Sequence, residues 1–234
     1  MPDPVDAIVY YVVFVFSVTV HEAAHAAAAL LGGDATAYEG GQVSLDPIPH
    51  MRREPFGMVL LPLASVFMSG WPWGYASAPF DPAWAERHPR RAAWMALAGP
   101  GANLAIVLAI ALGIRFGVAM GAFDVPNYIA FDQITAATGD PNGLAAGLGF
   151  VLSVAFSMNL LLFVLNMFPI FPLDGGTALT LLVPDSMLDG YYAVIRHPIV
   201  AIGGLIVVFT QFGAIFRPLL FGAIGWLYPG VTYG

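Results

Sequence analysis

The chain has 234 residues, of which 59% are hydrophobic and only 10% charged, where a soluble domain carries about 25% charged residues. Eight basic residues, all arginine, stand against fifteen acidic ones for a net charge of -7. No basic cluster is long enough to follow a phosphate backbone, which argues against nucleic-acid binding. The chain has no cysteine, which removes disulfides, thiolate catalysis and cysteine-held metals and leaves His, Asp, Glu and water as ligands. With a mean hydropathy of +0.77, the composition is that of a polytopic membrane protein.

The first apolar stretch, 7–31, makes a helix of about 37 Å at about 1.5 Å per residue, enough to span a bilayer, but it carries His21, Glu22 and His25. The segment ahead of it holds Asp3 and Asp6, no basic residue and no cleavage pattern, so it is expected to be retained rather than removed as a signal. Gly32-Gly33 ends this helix. Residues 35–45, with β-favouring Thr36, Tyr38, Val43 and Leu45 around Gly40-Gly41, predict a small β-hairpin. Residues 55–80 have no charge but are broken by Pro62, Gly70, Pro72, Gly74 and Pro79, leaving a helical core of about fifteen residues, which suits a re-entrant segment. Clear spans follow at 92–114 and 145–165, separated by a loop with Asp124, Asp132 and Asp140. A last span covers 199–216 and can continue towards Leu227 past Arg217-Pro218.

These elements describe an all-α polytopic membrane protein, a bundle of about four to six transmembrane segments. It reads as one domain, 1–234, with a core at 7–183 and an additional C-terminal span at 197–228; no internal repeat is present. Because basic loops stay cytoplasmic, Arg52, Arg53, Arg87, Arg90, Arg91 and Arg196 are expected on the cytoplasmic side of the cell membrane. The acidic N-terminus and the 124–140 loop then lie outside. This holds only if 55–80 dips in and returns, since a full crossing would put Arg52/Arg53 and Arg87/Arg90/Arg91 on opposite faces.

His21-Glu22-Ala23-Ala24-His25 puts two imidazoles four apart on one helix face, within reach of one ion, with a glutamate adjacent to poise a water. Ionisable groups inside a span are costly, which favours a functional role over a polar packing face. A third protein ligand is needed, and Asp174 is the candidate. It lies in the run from Asn166 to Gly176, where Pro169 and Pro172 break the helix, so that it can sit on irregular backbone at membrane depth if buried or lining a cavity. A straight helix from Ala145 would carry Asp174 about 44 Å along its axis, beyond the hydrocarbon, so the chain must fold back or the span must start late. The alternative is a loop aspartate at the membrane surface.

Together the two segments resemble the site-2 protease family of zinc intramembrane metalloproteases: H-E-x-x-H at His21 to His25, and N-x-x-P-x-x-P-L-D-G at Asn166 to Gly175. Stretches running from Gly33 to Ala37, from Val43 to His50 and from Ala98 to Asn103 look like its small bacterial members. The resemblance implies one zinc ion held by His21, His25 and Asp174, with Glu22 as general base. It also implies hydrolysis of peptide bonds within or near transmembrane helices of membrane-protein substrates, as in regulated intramembrane proteolysis. Gln42, Asp46 and Ser77-Ala78 depart from the family's usual Arg, Asn and Lys-Pro; none is at a ligand position, so the departures bear on substrate handling.

Among the other polar residues, Asn103 and Asn166 each read either as a donor to substrate or oxyanion or as a helix-packing amide. Leu188-Asp189-Gly190 repeats the Leu-Asp-Gly triplet without the prolines and reads as a decoy. His50, His88 and His197 neighbour prolines and arginines and read as surface histidines, with a secondary role near the site as the alternative for His50. An intact Glu22 argues against a catalytically silent adaptor, and the lack of repeated broken helices against an ion transporter. An edge strand from 35–45 or 55–80 is expected to receive unwound substrate by strand addition. No appended sensory domain is visible, so regulation is expected from the loops or from a separate membrane partner.

Overall fold

The computed structural model describes residues 3–231; the first two positions of the acidic N-terminal segment lie outside them. Asp3 caps the first helix, its carboxylate accepting the Val5 N–H at 2.7 Å, and Pro4 follows at a helical position that needs no N–H. Helix α1 then runs Pro4–Leu31, and Gly33, at φ +96°, turns the chain through a conformation that favours glycine.

Residues 35–45 do not form the expected hairpin. Thr36–Glu39 is a single helical turn, α2, because the Asp34 carboxylate accepts both the Thr36 N–H at 3.0 Å and its hydroxyl at 2.5 Å. The turn's backbone donors close on the carbonyls of Ala35, Thr36 and Ala37. This local capping outweighs the β preference of Thr36 and Tyr38, which is context-dependent. The Asp-Pro device then recurs: Asp46 caps α3, Pro47–Arg53, through the Ile48 N–H.

The stretch 55–80 goes out and comes back. One π-helical turn, Phe56–Leu60, leads into α4, Leu61–Ser69; together they reach about 21 Å, short of an approximately 30 Å hydrocarbon slab. Gly70 ends the helix in the left-handed conformation. An extended return lays the Tyr75 N–H on the Gly57 carbonyl at 3.1 Å and the Ser77 hydroxyl on Glu54 at 2.6 Å, while Arg53 Nε donates to the Ser77 carbonyl at 3.1 Å. The two ends of the excursion therefore meet, as a re-entrant segment requires. Asp81 caps the next helix, α5, Pro82–Arg87, and its own N–H reaches back to Asp34 at 2.8 Å.

Helix α6 is Pro89–Ala119. The small sheet lies after it, not after the first span: β1, Phe123–Asp124, pairs antiparallel with β2, Ala136–Ala137, Phe123 opposite Ala137. Then come α7, Leu144–Asn166, the short α8, Asp174–Ala178, and α9, Leu188–Ile195. Helix α10, Pro198–Leu227, continues straight through Arg217-Pro218. Among the described residues α1, α6, α7 and α10 are long and apolar enough to cross a membrane.

Helix α1 packs on α6 and α7, and α6 also on α8. Small buried residues line these surfaces, Ala23, Ala26 and Ala29 on α1 and Ala92, Ala93, Ala96 and Gly99 on α6. In lipid, where tails are as apolar as leucine, close backbone approach and interhelical hydrogen bonds hold helices together. Helix α10 is largely exposed and joins through Leu220, Ile224 and Leu227 against Val107, Phe156 and Leu160. The chain after α7 folds back, Leu173 N–H donating to the Ile170 carbonyl at 2.8 Å. A Cβ on Gly175 would stand 2.3 Å from the Met167 carbonyl oxygen, so a glycine is required for α8 to start against the end of α7.

Candidate metal centre

The α1 helix carries His21, Glu22 and His25 on turns about 9–15 Å from its C-terminal end, all three buried. His21 Nε2 and His25 Nε2 lie 2.9 Å apart, and Asp174 Oδ2, at the first position of α8, is 3.1 Å from the first and 3.3 Å from the second. The back-folding of 167–173 thus does what the helix break allowed, bringing a residue 153 positions away to the same depth. One Glu22 carboxylate oxygen and a ring nitrogen of each histidine lie within 4.8 Å of one another, and Glu22 Oε2 is buried with no hydrogen-bond partner.

The hydrogen bonds decide which nitrogens carry protons. His25 Nδ1 lies 2.7 Å from the Met95 carbonyl, which can only accept, so Nδ1 holds the hydrogen and Nε2 of the neutral ring holds a lone pair. The Asn103 amide nitrogen donates to the Ser17 carbonyl at 3.3 Å and to Asn159 Oδ1 at 2.9 Å. Its Oδ1 is therefore the atom 2.6 Å from His21 Nδ1, and His21 too presents a bare Nε2. With both rings neutral, two imidazole lone pairs and a carboxylate oxygen converge, an arrangement that favours a cation at its centre. Donors at about 2.0–2.1 Å around a tetrahedral zinc stand about 3.3 Å apart, close to the 2.9–3.3 Å found.

Room for the ion comes from α6. A Cβ built on Gly99 would lie 2.3 Å from His25 Nε2 and 2.5 Å from His21 Nε2, so the missing side chain leaves a cradle directly against both ligand atoms. Asp174, with a fifth of its side chain exposed against under a tenth for the histidines, forms the accessible side. The residues present fit a zinc ion.

Comparison with known proteins agrees. The model of peptidase family M50 matches residues 9–209. The chain belongs to that family, the site-2 proteases. "Putative zinc metalloprotease YwhC" of Bacillus subtilis (strain 168) is 29% identical over 185 residues, covering 79% of this chain and 74% of the relative. No solved structure matches. This M50 peptidase is therefore a metalloprotease with zinc as its cofactor, built into the membrane.

The remaining polar residues of the peptidase fall outside the ligand cluster. Asn103 is fully buried with every amide atom engaged, so the expected donor to substrate is spent on the protein. The Asn166 amide donates to Leu162 of its own helix at 3.0 Å. Asp189 is exposed in the first turn of α9. His88 is half-buried and His197 exposed, but His50, read as a surface residue, is wholly buried with Nε2 donating to the Ser44 carbonyl at 3.0 Å. Sequence reasoning met Gly99 only within the family-like stretch from Ala98 to Asn103, without a role, and had no hold on the Met95 carbonyl, Asn159 or Ser17.

Proposed function

We propose that the peptidase cleaves peptide bonds within or near the transmembrane helices of other membrane proteins, with zinc held by His21, His25 and Asp174 and with Glu22 as general base. The observation that carries this is the convergence of two imidazole nitrogens and a carboxylate oxygen beside a buried, unpartnered carboxylate on a helix long and apolar enough to cross a membrane. Bound there, zinc supplies Lewis acidity towards a water and the scissile carbonyl. Glu22 takes the water's proton as its oxygen bonds to the carbonyl carbon, then delivers that proton to the amide nitrogen as the C–N bond breaks. The burial of Glu22 keeps its carboxylate free of competing solvent, while the Met95 carbonyl and Asn103 hold both imidazoles with Nε2 turned inward.

A helical peptide bond is shielded by its own hydrogen bonds, so substrate must unwind. With no hairpin at 35–45, the receiving edge is the extended return between α4 and α5, which carries exposed Trp73, Tyr75 and Phe80. The placement of Arg53 beside the return segment, and of Arg91 donating to Gly32 at the end of α1, supports an orientation with these arginines on the cytoplasmic side of the cell membrane and the zinc site in the cytoplasmic half of the bilayer. The test is zinc content and cleavage of single-span substrates in liposomes for the parent, Glu22→Gln and Asp174→Ala. One zinc per chain and cleavage in the parent, with zinc retained but cleavage lost in Glu22→Gln, supports the proposal; normal cleavage by Glu22→Gln overturns it.

A further inference from the structure

His21 does not hold its orientation alone. Its Nδ1–H donates to Asn103 Oδ1, and Asn103 is held in turn from the two other helices. Its amide nitrogen donates to the Ser17 carbonyl of α1 and to Asn159 Oδ1 of α7. Asn159 spends its own amide nitrogen on the Ser17 hydroxyl at 2.9 Å and on the Ala155 carbonyl of its own helix at 2.8 Å. The Ala155 carbonyl accepts only, so Asn159 cannot exchange its oxygen and nitrogen; its oxygen must face Asn103, and Asn103 must then turn its own oxygen to His21. Ser17, Asn103 and Asn159 are all completely buried, where water cannot stand in for a lost partner.

We propose that Asn159 and Ser17 are positioning residues of the zinc site. Acting through Asn103, they lock His21 in the tautomer whose Nε2 can ligate, and so couple zinc affinity to the seating of α7 against α1 and α6. The inference rests on the zinc-site reading above. Partners that orient a ligating histidine from outside are worth about 10–100-fold in metal affinity. In Asn159→Leu, which keeps the branched shape without the polar atoms, the Asn103 amide loses the acceptor that fixes its rotation. It can then present nitrogen to His21, which drives the proton to Nε2 and removes the ligand lone pair.

Two neighbours supply controls that separate this relay from general packing. Thr19 on α1 and Ser157 on α7 are as buried as Ser17 and Asn159, yet their hydroxyls have no hydrogen-bond partner. The experiment measures zinc affinity of the full chain in detergent by chelator competition, with the melting temperature and helicity of the metal-free protein recorded for each variant. Asn159→Leu is expected to bind zinc about 10–100-fold more weakly. Asn159→Asp, which keeps an oxygen towards Asn103 and is protonated in the apolar interior, is expected to recover most of that loss. Ser17→Ala, which leaves the backbone carbonyl in place, is expected to lose a smaller factor, and Ser157→Ala and Thr19→Val none.

Ring nitrogen shifts in the metal-free protein read the tautomer directly: a single Nδ1–H form for His21 in the parent and a mixture in Asn159→Leu. The proposal is overturned if folded Asn159→Leu binds zinc as the parent does, or if Ser157→Ala loses as much. Should Asn159→Leu not fold, Ser17→Ala decides, and parental affinity together with an unchanged His21 tautomer in it overturns the proposal. A parent chain that binds no zinc would overturn the zinc-site reading itself, an outcome distinct from equal binding by parent and variant.

Discussion

Replacing Gly99 with alanine adds one methyl group to the centre of the site. Position 99 lies in the α6 helix, where alanine is the better residue by about 1 kcal/mol, so the substitution carries no backbone cost. The added carbon would stand 2.3 Å from His25 Nε2, 2.5 Å from His21 Nε2 and 2.6 Å from His25 Cε1, whereas carbon contacts relax near 3.5–4.0 Å. Each ring must retreat by about 1 Å, and metal–ligand lengths tolerate only about 0.2 Å. At least one imidazole is lost as a ligand, and zinc affinity is expected to fall by about 100-fold or more, about 2.8 kcal/mol at 1.4 kcal/mol per factor of ten. Chelator competition measures the affinity, and circular dichroism of the metal-free protein confirms that the bundle is intact. A folded Gly99→Ala chain with parental zinc affinity would refute the argument, because the two Nε2 atoms could not then face α6.

Other outcomes follow from the same geometry. Glu22→Gln should keep zinc within a few-fold and lose cleavage by about 10²–10⁴, the usual share of a general base, as read by substrate cleavage beside metal analysis. Gly175→Ala would set a methyl 2.3 Å from a backbone oxygen that cannot yield; both melting temperature and zinc affinity should drop, since Asp174 moves with α8. Burial pushes the Asp34 carboxyl upward, but the Thr36 hydroxyl and N–H and the Asp81 N–H override it and hold the group below its ordinary value. Its stabilisation is therefore present above the unfolded value of about 3.9 and is lost as pH falls through the lower folded value. Asp34→Asn should melt below the parent at pH 7, by about 1–3 kcal/mol, and the gap should narrow below about pH 4; a gap independent of pH would exclude the carboxylate as its cause. Chelation of zinc should abolish cleavage and re-addition restore it.

Much of the molecule is readable from local rules. The four long spans follow from runs of apolar residues, because a lipid-exposed helix must be apolar along its whole length. Three of the four Asp-Pro pairs, at 3–4, 46–47 and 81–82, start a helix, since one side chain supplies the acceptor and the next residue lacks the orphan donor; the fourth, Asp140-Pro141, makes only a turn before α7. The pair His21 and His25 share a face by helical geometry alone. The reading failed where two local preferences competed: at 35–45 the β-favouring residues were overruled by the Asp34 carboxylate, a cap that also holds Asp81, 47 residues away. His50 was misplaced because proline and arginine neighbours describe the chain beside it and not the pocket that receives it.

The amino-acid order by itself determined that this is a membrane protein, that two histidines and a glutamate stand together inside a span, and that a proline-broken stretch leads from the third clear span to Asp174. Those are properties of periodicity and composition, set within a few residues. Only the tertiary structure decided that Asp174 folds back onto both histidines, that 55–80 returns to its own start, that Gly99 leaves space at the ligand atoms, and that Ser17, Asn103 and Asn159 form one hydrogen-bonded chain to His21. Each of these joins helices separated by scores of residues, and inside a bilayer a polar group's role is set by which partner satisfies it, which only the packing of the helices determines.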